Sequence, residues 1–213
     1  MDSHDTLERL SDPDVMLRVQ WGSESAFAEI YERYYRRLLN FFFGMTRDVQ
    51  MAEDLCHETF VRIWQLRARY SPSGSFAAYA FTVARHIWLE QCRRSRKQPR
   101  LAAPFAVETQ DEPPASSERT VCPQFVQRRQ TVTPANCDAP DELAHRSEVG
   151  LHVFAALDKL PEEQRMAFIL RTVNGLPLDE IAAVMQCPVN TVRSRRLLAV
   201  RRLRELLQGL FVL

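Results

Sequence analysis

The chain has 213 residues, 46% of them hydrophobic and 26% charged, with a net charge of +1. That describes one or two globular domains with enough apolar material for a core, and no overall charge that would announce a polyanion-binding protein. No run reaches the roughly 18 apolar residues of a membrane-spanning helix, since Leu38–Met45 and Leu206–Leu213 are too short. The N-terminus is polar and acidic rather than signal-like, so a cytoplasmic location is expected, with no membrane insertion. The five cysteines (Cys56, Cys92, Cys122, Cys137, Cys187) include no C-x-x-C pair. No metal site or cofactor is expected, and reduced thiols are the simplest reading. Lysine occurs only at Lys97 and Lys159, so nearly all positive charge is arginine, whose planar fork suits phosphates and guanine edges.

In chain order, the first block, residues 1–97, predicts helices only. Phe27, Ile30, Tyr31, Tyr34, Leu38 and Phe41 recur at helical spacing over Glu24–Phe43. A second helix is expected over Val49–Arg69 with Asp48 as N-cap. Its apolar arc is Ala52, Leu55, Cys56, Phe60, Ile63 and Leu66. Asp54, His57, Glu58, Arg62 and Gln65 lie opposite, with Val61 exposed among them and Trp64 at the boundary. An acidic stripe with an apolar centre and an edge aromatic fits either an ordinary solvated helix face or a protein-docking face. His57-Glu58 does not continue into a zinc-protease motif, because Val61 stands where the second His is required. Pro72 and Gly74 mark Tyr70–Ser75 as a loop. Phe76–Arg94 is the next helix. Tyr70, Phe76 and Tyr79 offer aromatic faces and Arg85, Arg93, Arg94, Arg96 and Lys97 offer charge, a combination suited to single-stranded DNA. Phe81 and Trp88 are expected in the core.

Residues 98–146 contain seven prolines, from Pro99 to Pro140, and no sustained periodicity. They are expected to be a flexible linker, spanning on the order of 40 Å as a coil. The second block, residues 147–213, predicts helices over Glu148–Lys159, Pro161–Val173, Leu178–Met185 and Val189–Leu207. Asn174-Gly175 is a helix stop. The last two helices, joined by Gln186-Cys187-Pro188, have the spacing of a helix-turn-helix, whose second helix enters the major groove. On that helix Val189, Val192, Ala199, Val200, Leu203, Leu206 and Leu207 face inward. Asn190, Arg193, Ser194, Leu197, Arg201 and Arg204 face outward. Leu197 and Leu198 are apolar where solvent is expected, which fits either thymine methyl groups or a protein. Arg196 falls in the apolar arc and must snorkel or pair with an acid.

With these residues in view, the chain resembles bacterial extracytoplasmic-function sigma factors. The second block is similar to their region 4 through Ala156-Leu157, Leu160-Pro161, Arg165, Asp179-Glu180-Ile181-Ala182 and Asn190-Thr191-Val192-Arg193-Ser194-Arg195. The first is similar to region 2 through Gly22, Ala26-Phe27, Tyr31, Tyr34, Ala52-Glu53-Asp54-Leu55-Cys56-His57-Glu58-Thr59-Phe60, Trp64, Val83-Ala84-Arg85 and Arg93-Arg94. The resemblance implies an all-α protein of two small domains and a non-enzymatic role. Such a protein binds core RNA polymerase and directs it to promoter DNA, commonly in response to an envelope or environmental stress. It implies −35 contacts at Asn190, Thr191, Arg193, Ser194, Arg195, Leu197 and Leu198. It implies −10 recognition and melting at Tyr70, Phe76, Tyr79, Arg85, His86, Arg93, Arg94 and Arg96. Docking on the polymerase clamp helices would use Glu53, Asp54, His57, Glu58, Val61 and Trp64, with region 4 on the flap. It further implies an anti-sigma partner, in many members membrane-anchored. The sequence departs from the family pattern at Asn190, Arg196, Leu198, His86 and Glu90.

Overall fold

The computed structural model describes residues 7, 9–72, 74–97 and 155–208, and these contain helices and no strand. The helices are α1 (Asp12–Gln20), α2 (Glu24–Thr46), α3 (Val49–Leu66), α4 (Phe76–Lys97), α5 (Glu162–Thr172), α6 (Leu178–Met185) and α7 (Val189–Gln208). A short 3-10 turn, Arg67–Arg69, follows α3, and residues 155–158 are also helical. The expected linker and most of the helix expected over Glu148–Lys159 lie outside the described residues.

Local chemistry sets the helix ends. Ser23 caps α2 by accepting from the Ala26 amide, and Asp48 caps α3 by accepting from that of Met51, as expected of short polar N-caps. Helix α2 runs on past Phe43 to Thr46, where Arg47 adopts a left-handed conformation, φ 64°, and its amide returns to the Phe43 carbonyl. Helix α3 stops at Leu66 rather than Arg69, its last turn tightening into the 3-10 segment. Helix α1 was not expected. Pro13 sits at its start and Val15, Met16 and Val19 are buried, a face too narrow to register as a periodic run.

Helix α1 is held on α2 by a polar network. The Arg33 guanidinium donates to the Leu7 and Leu10 carbonyls, to Asp12 at 2.7 Å and to Glu29 at 2.6 Å, and the Tyr34 hydroxyl donates to Asp12. Glu29 is thereby buried with its charge paired, the condition under which a buried carboxylate is tolerable. Helices α2, α3 and α4 pack together around Phe41, Phe42, Phe60, Ile63, Phe76 and Phe81.

The second block closes onto the first. Helix α5 packs on α2 and α6 packs on α4, so Ile169, Leu170, Ile181 and Val184 share one apolar cluster with the residues of the first block. Polar contacts cross the same seam. Trp88 Nε1 donates to Glu162 at 2.7 Å, Arg37 donates to the Asn174 carbonyl at 3.1 Å, and Arg47 pairs with Asp158 at 3.0 Å. A Cβ on Gly44 would stand 2.7 Å from Ile169 Cδ1. This explains a glycine inside a helix, where it costs about 1 kcal/mol relative to alanine: the close approach of α5 requires it.

Candidate nucleic-acid interface

The turn between α6 and α7 positions the reading helix. Gln186 takes a left-handed conformation, φ 53°, and the Cys187 amide bonds back to the Ala182 carbonyl at 3.1 Å. Pro188 then opens α7, its carbonyl accepting from Thr191 and Val192. Helix α7 packs against α5 and α6 through Val192, Ala199 and Leu203, with Val200, Leu206 and Leu207 half-buried. Val189, expected on this inner face, is exposed, because the helix begins there and nothing covers its first turn.

Asn190, Arg193, Ser194, Leu197, Leu198, Arg201 and Arg204 are exposed. At 100° per residue Arg193, Leu197, Arg201 and Arg204 fall within one quadrant, with Ser194 and Asn190 in the same outward arc. Thr191 is half-buried beside it. The Ser194 hydroxyl donates to the Asn190 carbonyl at 2.9 Å.

Arg195, implied by the resemblance as a −35 contact, is half-buried. It lies on the opposite side of α7 from Arg193, where its guanidinium pairs with Glu163 of α5 at 2.6 Å and donates to the Cys187 sulfur at 3.3 Å. It ties the reading helix to its support rather than facing outward. Arg196 is half-buried with no acid partner among the described residues.

The first block splits its expected DNA residues. His86, Arg93, Arg94 and Arg96 are exposed along α4 and Arg85 is half-buried; Arg94 pairs with Glu90 at 3.5 Å. Of the three expected aromatics, Phe76 and Tyr70 do not offer open faces, while Tyr79 is half-buried. Phe76 is 1% exposed, with its ring edge-on to Tyr34 at 4.8 Å. Tyr70 is 6% exposed and packs against Phe76 and Tyr79. These rings build the wall under the loop instead of a stacking platform. The sequence pattern placed Phe81 and Trp88 in the core, where they lie, but gave no sign that Phe76 and Tyr70 join them. The hydroxyls of Tyr70 and Tyr79 are buried without a hydrogen-bond partner among the described residues. Burial also raises both phenol pKa values, helped for Tyr70 by Tyr79 and Asp12.

On α3, Glu53, Asp54, His57 and Val61 are exposed, while Glu58 and Trp64 are half-buried. Arg62 bridges Glu58 and Glu90, each at 3.9 Å. The Arg67 guanidinium lies 4.3 Å from the centre of the Trp64 ring, whose other neighbour is Phe27 at 4.9 Å. The stripe is thus acidic at Glu53 and Asp54, apolar at Val61, and closed at its far end by a cation over an aromatic face. Among the described residues no group of His, Cys, Asp or Glu is arranged to hold a metal. No helix there is long and apolar enough to cross a membrane.

Comparison with known proteins places these surfaces in a family. Residues 30–98 match the model of Sigma-70 region 2 and residues 153–203 that of Sigma-70, region 4, together more than half of the chain. The chain is 26% identical to the RNA polymerase sigma-H factor of Pseudomonas aeruginosa over 96% of its own length and 97% of that protein's. It is 28% identical to the ECF RNA polymerase sigma factor SigX of Bacillus subtilis, with 87% of each covered. It is 26% identical to the ECF RNA polymerase sigma-E factor of Escherichia coli, covering 88% and 90%. In fold it is similar to the sigma factor RpoE crystallised with the anti-sigma factor NepR from Bartonella quintana (TM-score 0.60, 22% identity, 85% of this chain and 96% of that one). It is equally similar to CnrH solved with the cytosolic domain of CnrY (TM-score 0.60, 20% identity, 93% and 97%). Both halves match in the same order, and the relatives are matched along nearly their whole length. The chain therefore belongs to the sigma-70 family, among its extracytoplasmic-function members, and works as an initiation factor that binds RNA polymerase and directs transcription from specific promoters.

Proposed function

We propose that the two blocks divide promoter recognition between them. Residues 147–213 read the −35 element, with α7 in the major groove and Asn190, Arg193, Ser194, Leu197 and Leu198 at the base edges. Residues 1–97 bind polymerase and handle the −10 element. There α4 supplies Arg85, His86, Arg93, Arg94 and Arg96 to the melted strand, while Tyr70, Phe76 and Tyr79 shape the adjoining loop. Glu53, Asp54, His57, Glu58, Val61 and Trp64 of α3 form the docking face for the clamp helices, and the second block engages the flap. The protein acts by binding alone, in the cytoplasm, and is held inactive by an anti-sigma factor that answers an external stress.

The observation that carries this reading is the exposed, arginine-bearing face of α7 behind a left-handed helix-turn-helix turn. Its test is Arg193→Ala in holoenzyme formed with core polymerase. If Arg193 grips a base by two hydrogen bonds, promoter affinity falls by roughly 1–3 kcal/mol at the cognate −35 sequence, and discrimination at one position relaxes. A uniform loss across sequences with a shallower salt slope would make it a phosphate contact instead. No change in promoter affinity would remove α7 from the interface.

A further inference from the structure

Trp21 is 90% exposed, the most open of the large apolar side chains described. It lies outside the stretch matched to Sigma-70 region 2, which begins at residue 30. Its backbone is nonetheless fixed. The Gly22 amide returns to the Val19 carbonyl at 2.9 Å and the Ser23 amide to that of Arg18 at 3.2 Å, a Schellman ending for α1 with Gly22 left-handed at φ 86°. Ser23 then caps α2, so Trp21 stands on a rigid corner between two helices.

That corner abuts the loop that precedes α4. Gln20, next to Trp21, donates from Nε2 to the Tyr70 carbonyl at 2.6 Å, and α1 packs on Arg67–Arg69 and on α4. Among Trp21, Tyr70, Phe76 and Tyr79, the rings on and beside the loop, Trp21 alone is exposed. Positive charge accompanies it. Arg18, one turn back on the same face of α1, and Arg69, at the end of the 3-10 turn, are exposed with no acid partner among the described residues. The nearest acids in sequence are engaged elsewhere. Asp14 accepts from the Ser11 hydroxyl, and Glu24 opens α2, where the helix dipole favours a negative charge. Leu17 is the one apolar neighbour on that face of α1. A protein partner would find a ring without the surrounding rim that keeps water from a hot spot, and would strip water from two guanidinium groups. Single-stranded DNA offers a flat π face on every base and phosphates for the arginines.

We propose that Trp21 stacks on an unpaired base of the melted strand beside the −10 loop, with Arg18 and Arg69 on the flanking phosphates. This rests on the assignment of the first block to the −10 element and adds a base contact from a helix outside the matched segment. Opening the duplex forfeits stacking between bases, and Trp21 restores a stack to one of them, so it favours the open form whatever that base is.

The experiment uses full-length protein with core polymerase and a promoter located by sequencing transcription start sites after overexpression, supplied as a fork whose −10 region is single-stranded. Each nucleotide of that region is replaced singly by an abasic site. Trp21→Ala should bind the intact fork roughly fivefold to a hundredfold more weakly than wild type. An abasic site at the stacked position should weaken wild type and cost Trp21→Ala nothing further, while the other positions keep their cost. Trp21→Phe, which keeps a π face, should stay within about threefold of wild type. Trp21→Leu, which keeps apolar bulk alone, should fall with Trp21→Ala. The idea is overturned if the abasic profile of Trp21→Ala parallels that of wild type at every position, or if Trp21→Leu binds as wild type does. It is also overturned if Trp21→Ala weakens binding to core polymerase without DNA, which would make the ring a protein contact. Wild-type holoenzyme indifferent to abasic sites throughout the region is a separate result: it would reject the −10 assignment of the first block itself.

Discussion

Single side chains settle several questions that their neighbours in sequence leave open. Cys56 is buried in α3 with its thiol pushed up to about 12 by burial and, secondarily, by Glu53. It is inert in the folded protein, since the thiolate is the reactive species. Burial also raises the phenol pKa values of Tyr31, Tyr34, Tyr35, Tyr70 and Tyr79. Each of these groups holds its proton longer folded than unfolded. The folded state therefore binds more protons above the free thiol's range, and stability falls as pH rises from about 9 towards 12. Denaturant midpoints measured across that range should decline steadily, and Cys56 should react with iodoacetamide only on the unfolding transition. Arg33 is the other decisive residue. Removing it by Arg33→Met strands the buried Glu29 and frees α1, at a cost of about 3 kcal/mol in chemical denaturation. A loss under 1 kcal/mol would show that the network holds nothing.

At the level of helices, periodicity made α5, α6 and α7 legible to within a residue at either end, because each carries an apolar face. It missed α1, whose buried face is three residues wide, and it ran α3 past Leu66, because a 3-10 turn continues the helical spacing without the helical bonds. Site residues were less legible for a physical reason. An outward direction along α7 follows from 100° steps, so the exposure of Arg193, Ser194 and Leu197 could be read in advance. The burial of Phe76 depends on α2 arriving from far along the chain, and the capture of Arg195 by Glu163 depends on α5. On α3 the reading leads to a direct test. Asp54→Arg should weaken core-polymerase binding at least tenfold in a pull-down or anisotropy assay, since it places a cation in an acidic docking stripe. Affinity of the free protein for −35 duplex should stay unchanged; loss of both would indicate misfolding.

The described parts of the two blocks are closed on each other, with α6 lying on α4 and α5 on α2. On the proposed reading the two blocks contact elements about 25 base pairs apart, roughly 85 Å of duplex, so the seam must part before both can engage. Gly44 is where that closure is most sensitive. Gly44→Leu should wedge α5 away from α2, and small-angle scattering should report a larger radius of gyration for the free protein. Ile169→Ala in the same chain should restore the compact form, because the obstruction is the Ile169 side chain. An unchanged radius in the single variant would mean that the seam yields by rotating Ile169 alone.

The bond from Trp88 to Glu162 gives the molecule an optical readout. Of its three tryptophans, Trp21 is 90% exposed and already emits as indole in water. Trp64 rests under Arg67, within the first block. Trp88 alone is buried with its N–H on the opposite block. With Trp21 replaced by phenylalanine and Trp64 kept in its docking face, the change in the remaining emission would be a spectroscopic gauge of separation. The emission would shift to the red as Trp88 meets solvent, and would time the parting of the two blocks on polymerase in a stopped-flow trace.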